Sequence, residues 1–496
     1  MALDFFKNLI GGRPHKTKKP EQSRPIFFHN TLTSKKEQFE ALRFPEVRMY
    51  NCGPTVYDYA HIGNLFSYMF ADTLKRTLAY NGYEVEQVIN ITDVGHLVSD
   101  NDEGEDKIEK GAKREGKSAK EITETYTRSF FEDLELLNID VHSITFPRAT
   151  EHIGEQIAFI ESLEQKGYTY KTSDGIYFDT SKFPKYGKLG NINLKGLVEG
   201  ARVSVNAEKK NATDFALWKL SKPEDKRQQE WDSPWGVGFP GWHIECSAMS
   251  IKYLGKSFDI HTGGVDHISV HHNNEIAQSE SVTGKPFVRY WMHHAHILID
   301  SKKIAKSEGN SVYLKNIIAK GMSPLSYRYL LLTSHYRTQS NFTWEALEAS
   351  QTALFKLQKH FVENLGSKNG LVNEKYKEQF LGFINDDLNT AQALALVWTF
   401  IKDESVKKED KRATLLDFDR VLGLRLSELD STLETMQTKY IDVASLPTHA
   451  RKLVEEREAA RKAKNFIVAD ELRQKISDLG YNLEDKPEGI KIRLHK

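Results

Sequence analysis

Two cysteines occur in the 496 residues, and each sits among side chains able to hold a metal or a phosphate. Cys52 lies in Tyr50-Asn51-Cys52-Gly53-Pro54-Thr55, shortly before His61-Ile62-Gly63-Asn64. Cys246 lies in Gly241-Trp242-His243-Ile244-Glu245-Cys246, and His271-His272-Asn273-Asn274-Glu275 follows. Two thiolates, an imidazole and a carboxylate brought together would make a zinc site. His271 and Glu275 are four residues apart, so on a helix they share a face. His243, three before Cys246, and His272 are rival ligands. Two buried structural cysteines are the plainer alternative.

A second set of residues suits phosphate. His61-Ile62-Gly63-Asn64 opens a helix directly after a strand and turn. There an imidazole and first-turn N–H groups can face an anion, and Gly63 allows close approach. Helix capping is the plainer role for such a tetrapeptide. Lys302-Lys303-Ile304-Ala305-Lys306-Ser307-Glu308-Gly309-Asn310 is a lysine-rich loop suited to neutralising a triphosphate. Gly263-Gly264-Val265-Asp266 adds a glycine pair at a strand end. Together the three segments describe a nucleotide site beside the cysteine cluster.

The elements that must carry these residues are readable around them. Val47 to Tyr50 reads as a strand. Phe66, Met69, Phe70 and Leu74 recur at helical spacing between Asn64 and Tyr80, with Gly82 as the stop. Tyr83 to Ile91 is again strand-like. Strand, helix, strand implies a parallel sheet, whose chemistry gathers at the carboxyl ends of its strands. Residues 165–215 read as a β-rich insertion, and the sheet resumes near Asp214. Beyond Ser340 the pattern turns helical, with Leu354, Leu357 and Phe361 on one stripe and Leu394, Val397 and Trp398 on another. From Pro447 it reads as helix, helix, hairpin.

Bulk properties bound the rest. Acids and bases balance at 69 each, so any basic surface must be local. Two distant cysteines make no disulfide framework, which favours a reducing, cytoplasmic setting. No apolar run approaches the ~18 residues of a membrane span. The fold class expected is α/β: a Rossmann-like parallel-sheet domain with a β-rich insertion, a helical bundle and a small mixed C-terminal domain. The boundaries expected are a basic flexible tail over 1–25, the catalytic domain over 26–115 and 214–300, and an insertion over 116–213. A basic-loop region then covers 301–345, a bundle 346–440 and the last domain 441–496.

From about residue 26 to its end the chain resembles the cysteinyl-tRNA synthetases, within the class I aminoacyl-tRNA synthetases. His61-Ile62-Gly63-Asn64 resembles the family's HIGH signature, with Asn64 for the final histidine. Lys303-Ile304-Ala305-Lys306-Ser307 resembles its KMSKS loop, with Ile304 and Ala305 for Met and Ser. Gly53-Pro54-Thr55-Val56-Tyr57-Asp58, Asn90-Ile91-Thr92-Asp93 and Pro240-Gly241-Trp242-His243-Ile244-Glu245-Cys246-Ser247-Ala248-Met249 are close matches. The last is the most specific to this one synthetase.

The resemblance implies a cysteine–tRNA ligase that activates L-cysteine with Mg2+-ATP and transfers it to tRNA(Cys), releasing AMP and pyrophosphate. It implies one zinc ion per chain, on Cys52, Cys246, His271 and Glu275, that recognises the substrate thiolate. His61, Asn64, Lys303 and Lys306 become catalytic, with His61, Gly63, Asn64, Gly264, Asp266 and Lys306 on ATP. Thr92, Trp242 and His261 become the amino-acid pocket. Arg461, Phe466, Asp470 and Asp485 become anticodon contacts, Phe466 standing where relatives carry Trp. A monomer working in the cytoplasm, without a membrane, is expected.

Overall fold

A computed structural model describes residues 24–95, 106–192, 208–222, 227–303, 311–429, 443, 446–479, 481–486 and 489–494. Lys306, with Ile304 and Ala305 of its loop, lies outside the described residues, as do positions 1–23 of the expected tail.

At the centre of the chemistry is a five-stranded sheet. In chain order its strands are Glu46–Asn51 (β1), Glu84–Ile89 (β2), Ile144–Thr145 (β3), Phe258–Gly264 (β4) and Val288–His294 (β5). Across the sheet they run β5-β4-β1-β2-β3, every pair parallel. This is the doubly wound arrangement. The chain builds outward from β1 in one direction, then returns to place β4 on its other side. The crevice at the carboxyl ends of β1 and β4 is therefore the switch point where such sheets take ligands. Register sets Tyr50 against His261 and Asn51 against Thr262, so Cys52 emerges at that crevice.

Helices cover both faces, as a parallel sheet requires. Helix α1 (Ile62–Tyr80) buries Leu65, Phe66, Met69 and Leu74 in one core, with Val47 and Met49 of β1. Each such side chain contributes about 1.5–3 kcal/mol of burial. Asn81 caps α1, and Gly82 follows with φ +83°. On the other face, α2 (Trp242–Leu254) and α3 (His271–Thr283) pack in a second core, which takes Tyr50 of the same strand. The alternation of Met49 and Tyr50 is the two-residue period of a strand.

Two observations differ from the expected insertion over 116–213. Its first part holds the helix Ala119–Leu136 and then β3, a strand of the parallel sheet itself. Phe215–Leu220, expected to resume that sheet, instead pairs antiparallel with Gly175–Phe178 and Gly238–Pro240 in a four-stranded sheet with Thr169–Thr172. A two-residue strand carries no periodicity to read. Phe215-Ala216-Leu217-Trp218, buried throughout, looks the same in either sheet.

The C-terminal half is helical, with Trp344–Asn364, Glu374–Ile384, Thr390–Lys402 and Lys408–Leu422. Phe380 stacks on Phe418 with ring centroids 4.2 Å apart. A second compact unit comprises residues 358–369 and 425–496. It contains the helices Thr448–Lys462 and Phe466–Asp478 and a hairpin of Tyr481–Lys486 with Gly489–Leu494, the order read from sequence. Its core is Leu446, Ala450, Val454, Ile476, Leu483 and Ile492. No described helix is long and apolar enough to cross a membrane.

Candidate metal and nucleotide site

Cys52 is carried by the turn that leaves β1. Gly53 is required there, because a Cβ would sit 1.4 Å from the carbonyl oxygen of Asn90. Its N–H donates to Asn90 Oδ1 at 2.8 Å, which pins the turn to the end of β2. Cys246 sits in the second turn of α2, and His271 and Glu275 on the first turns of α3. The sulfurs, one imidazole nitrogen and one carboxylate oxygen of Cys52, Cys246, His271 and Glu275 all lie within 4.8 Å of one another. All four predicted ligands are thus brought together.

The buried groups of the cluster shift one another's protonation strongly. Burial pushes the Cys52 thiol well up, and a hydrogen bond from Cys52 lowers Cys246 to about 7. Burial alone would lower His271, but the Glu275 carboxylate and the Cys246 sulfur lift it to about 10. Burial would raise Glu275, yet His261 and His271 hold it at about 2. His271 Nε2 is buried and stands 3.0 Å from Glu275 Oε1. Two sulfurs, a carboxylate and an imidazole nitrogen at this spacing fit a tetrahedral zinc ion.

Both rival histidines are close. His243 Nδ1 lies 2.8 Å from Nδ1 of His271, so it stands behind that ligand. His272 Nε2 lies 3.3 Å from Cys52 Sγ, and Cys52, His261, His272 and Glu275 form a second group with metal-binding spacing. The two groups share Cys52 and Glu275. The second has one thiol where the first has two, so the first is the better set for zinc.

Beside the cluster opens a cleft of about 360 Å³. Cys52, His61, Gly63, Asn64, Gly264 and Asp266 line it, as does Trp242, whose ring lies 4.3 Å from that of His271. His61 is the N-cap of α1: its Nδ1 accepts from the Asn64 N–H at 3.1 Å, and Asn64 Oδ1 accepts from the His61 N–H at 3.2 Å. Asparagine at position 64 thus closes a capping box, the plainer role considered for this motif. The Ile62 N–H donates to Val312 O at 2.8 Å. Two first-turn donors are therefore committed within the protein, which leaves fewer for a phosphate than the sequence suggests. Lys303 lies on the short strand Lys302–Lys303, paired with Ile297–Ile299.

Residues 38–352 match the family model described as the tRNA synthetases class I (C) catalytic domain. The chain is 47% identical to a cysteine–tRNA ligase 1 of Burkholderia lata, over 94% of this chain and 97% of that protein. It is 45% identical to a cysteine–tRNA ligase of Treponema denticola, over 92% and 97%. The chain belongs to the cysteine–tRNA ligase family of class I synthetases. It charges tRNA with cysteine. The fold is shared with methionyl-tRNA synthetase of Mycobacterium tuberculosis in complex with methionyl-adenylate. There the TM-score is 0.52 and the identity 14%, over 78% of this chain and 91% of that one.

Two expected pocket residues of this cysteine–tRNA ligase are buried behind the cleft. Thr92 Oγ1 donates to Glu245 Oε2 at 2.9 Å, and His261 Nε2 lies 2.9 Å from Glu275 Oε2. In the second unit, Asp485 accepts from Arg457 at 2.9 and 2.8 Å and also pairs with Arg461. Phe466 is 60% exposed at the start of its helix, and Asp470 is exposed one turn on. Sequence reasoning missed His267, His294 and His296, which line the cleft, and His294 Nε2 lies 2.7 Å from Ser67 Oγ. The signal was present in His293-His294-Ala295-His296, at the carboxyl end of a strand.

Proposed function

We propose that this ligase selects cysteine by its sulfur. The four donor groups of Cys52, Cys246, His271 and Glu275, converging at the end of the cleft, carry that reading. A zinc ion held by these four residues would supply a borderline-soft Lewis acid, which favours a thiolate over the harder serine hydroxyl. A hydrophobic pocket alone separates near-isosteres by only about 10²-fold. His243 orients His271 and His261 orients Glu275. Trp242 closes the wall beside the thiol end, while Thr92 and His261 hold its floor.

With the sulfur fixed, the carboxylate of cysteine points back into the cleft toward Mg2+-ATP. His61, Gly63 and Asn64 seat the phosphates, Gly264 and Asp266 the ribose, and Lys303 and Lys306 neutralise charge. A carboxylate oxygen attacks the α-phosphorus as pyrophosphate leaves. The terminal ribose hydroxyl of tRNA(Cys) then attacks the carbonyl and AMP leaves. Positioning and charge stabilisation carry both steps. In the C-terminal unit, Arg461, Phe466, Asp470 and Asp485 read the anticodon. The catalytic region is read as taking in β3 and the insertion as running on through Phe215–Leu220, followed by a bundle over 346–440 and an anticodon-binding region over 441–496. The enzyme works as a cytoplasmic monomer.

Metal analysis of purified protein and a comparison of the two substrates test this reading. One zinc per chain is expected. Its removal by a chelator should abolish cysteine binding while ATP binding persists. Full activity in protein free of zinc, or equal loss of both substrates, would overturn it.

A further inference from the structure

Lys107 is not part of any motif that carries the family resemblance, yet it lines the same cleft as His61 and Trp242. It is the first residue of the helix Lys107–Glu115, and its ammonium lies 5.9 Å from the centroid of the Trp242 ring. That ring in turn lies 4.3 Å from the ring of His271. A positive charge therefore stands one indole away from the metal cluster, in the lining of the cleft. Among the described residues, no carboxylate forms an ion pair with it.

The mount of Lys107 is rigid. The preceding residue, Asp106, caps the helix by accepting from the N–H groups of Ile108 at 2.7 Å and Glu109 at 3.0 Å. Its carboxylate also pairs with Arg227, both side chains being less than a tenth exposed. Arg227 donates to Gly95 O at 3.0 Å, and its guanidinium lies 3.6 Å from the centre of the Phe239 ring. Gly95 must be glycine, since a Cβ would sit 1.9 Å from Asp106 Oδ2. Gln229 accepts from the Gly95 N–H at 3.0 Å and donates to Asp93 O at 2.8 Å. Residues from three distant segments thus fix the backbone from which one lysine reaches the cleft. A solvated surface lysine has no use for such an anchor.

Of the carboxylates that line this cleft, Asp58 already has Arg114 at 3.8 Å, and Asp266 has His267 and His296, each at 3.9 Å. What lacks a counter-charge is the substrate. Cysteine carries its carboxylate two carbons from its sulfur, and that carboxylate becomes the mixed anhydride with the α-phosphate. We infer that Lys107 is a further catalytic residue, its ammonium bonding the anionic oxygens of the forming cysteinyl-adenylate. A charge-assisted bond at that point holds the attacking carboxylate and offsets charge on the α-phosphate, and no proton need move. The bond formed is carboxylate oxygen to phosphorus, and the bond broken is phosphorus to pyrophosphate oxygen.

This inference rests on the metal cluster holding the thiol, so the test separates the two. Lys107→Met and Lys107→Arg are prepared in the full-length protein and checked for zinc content and thermal midpoint. Pyrophosphate exchange gives kcat and KM for cysteine and ATP. Cysteamine, which has the thiol but no carboxylate, is measured as a competitor against cysteine. For Lys107→Met we expect kcat/KM for cysteine to fall about 10- to 100-fold, with the cysteamine inhibition constant unchanged. A fall mostly in KM places the contact on the carboxylate, and one mostly in kcat places it on the phosphate. Partial rescue by Lys107→Arg is expected. Unchanged kcat/KM, or an equal loss for cysteine and cysteamine, overturns the role. Failure of the wild-type enzyme to bind cysteamine would instead count against the thiol reading, and the exchange kinetics would still decide Lys107.

Discussion

His243 and His271 face each other nitrogen to nitrogen, Nδ1 to Nδ1, at 2.8 Å, with both rings buried. One nitrogen of His271 is thereby occupied, and Nε2 is turned toward Cys246 and Glu275. A hydrogen-bonding partner that fixes the tautomer and plane of a ligating histidine holds a metal site stiff, and here an imidazole takes the place usually filled by a carboxylate, carbonyl or water. Replacing His243 with Leu should weaken zinc binding about 10- to 100-fold without unfolding the protein. Competition with a chromogenic chelator measures this. An unaltered zinc affinity would reduce His243 to packing.

Much of this site was legible from residue types, and the reason is local. Cys52, His61 and Gly63 follow a strand and precede a helix, while His271 and Glu275 are one helical turn apart. Such spacings survive folding. What sequence does not carry is which distant segments meet. That Asn90 pins Gly53, or that Arg227 reaches Asp106 across 121 positions, depends on chain crossings with no period. Phe215–Leu220 was misplaced for the same reason: a fully buried strand has no polar face to say which sheet it joins. Asn64 was read as a departure from a phosphate motif, with helix capping as the plainer role, and the folded geometry shows the capping box with His61.

A buried ion pair ties α1 to the helix Pro324–Leu332. Arg328 is fully buried and donates to Asp72 Oδ2 at 2.5 Å, Leu137 O at 2.8 Å and Leu422 O at 2.8 Å. Arg76 supports the same carboxylate at 2.7 Å. Removing the anion leaves a guanidinium stranded in the core, which typically costs about 3–5 kcal/mol. Asp72→Ala should lower the thermal midpoint by several degrees, whereas Lys120→Ala, which breaks an exposed pair with Glu124, should not. Equal midpoints for the two variants would show that the backbone carbonyls alone satisfy Arg328.

The Asp485 cluster in the C-terminal unit sets a pH dependence. The hydrogen bonds from Arg457 hold the Asp485 carboxyl below its ordinary range, with Arg461 and Arg473 adding attraction. A folded-state pKa below the unfolded one contributes stability above the unfolded value, about 3.9. That contribution disappears as the pH falls through the lower, folded value. Asp485→Asn should therefore be less stable than wild type at pH 7, and the gap should narrow as the pH falls below the unfolded value. Urea titrations over a descending pH series give the comparison, and a gap that does not narrow would assign the effect to shape instead of charge. Arg461 is held by the same carboxylate, so tRNA charging should fall along with the pH 7 stability.

Phe466 tests whether catalysis and tRNA reading are separable. Phe466 is 60% exposed and Ile467 75%, side by side at the start of a helix whose cap is Asn465. Large apolar groups left in water contribute little to folding, and a base stacked on the ring would gain about 1–3 kcal/mol. Phe466→Ala should thus leave the melting temperature and cysteine-dependent pyrophosphate exchange unchanged. It should cut kcat/KM for tRNA charging by about 10- to 100-fold. Phe466→Trp, with a wider face, should match or exceed the wild type. If alanine at 466 lowers exchange as much as charging, the ring supports the fold and is not an anticodon contact.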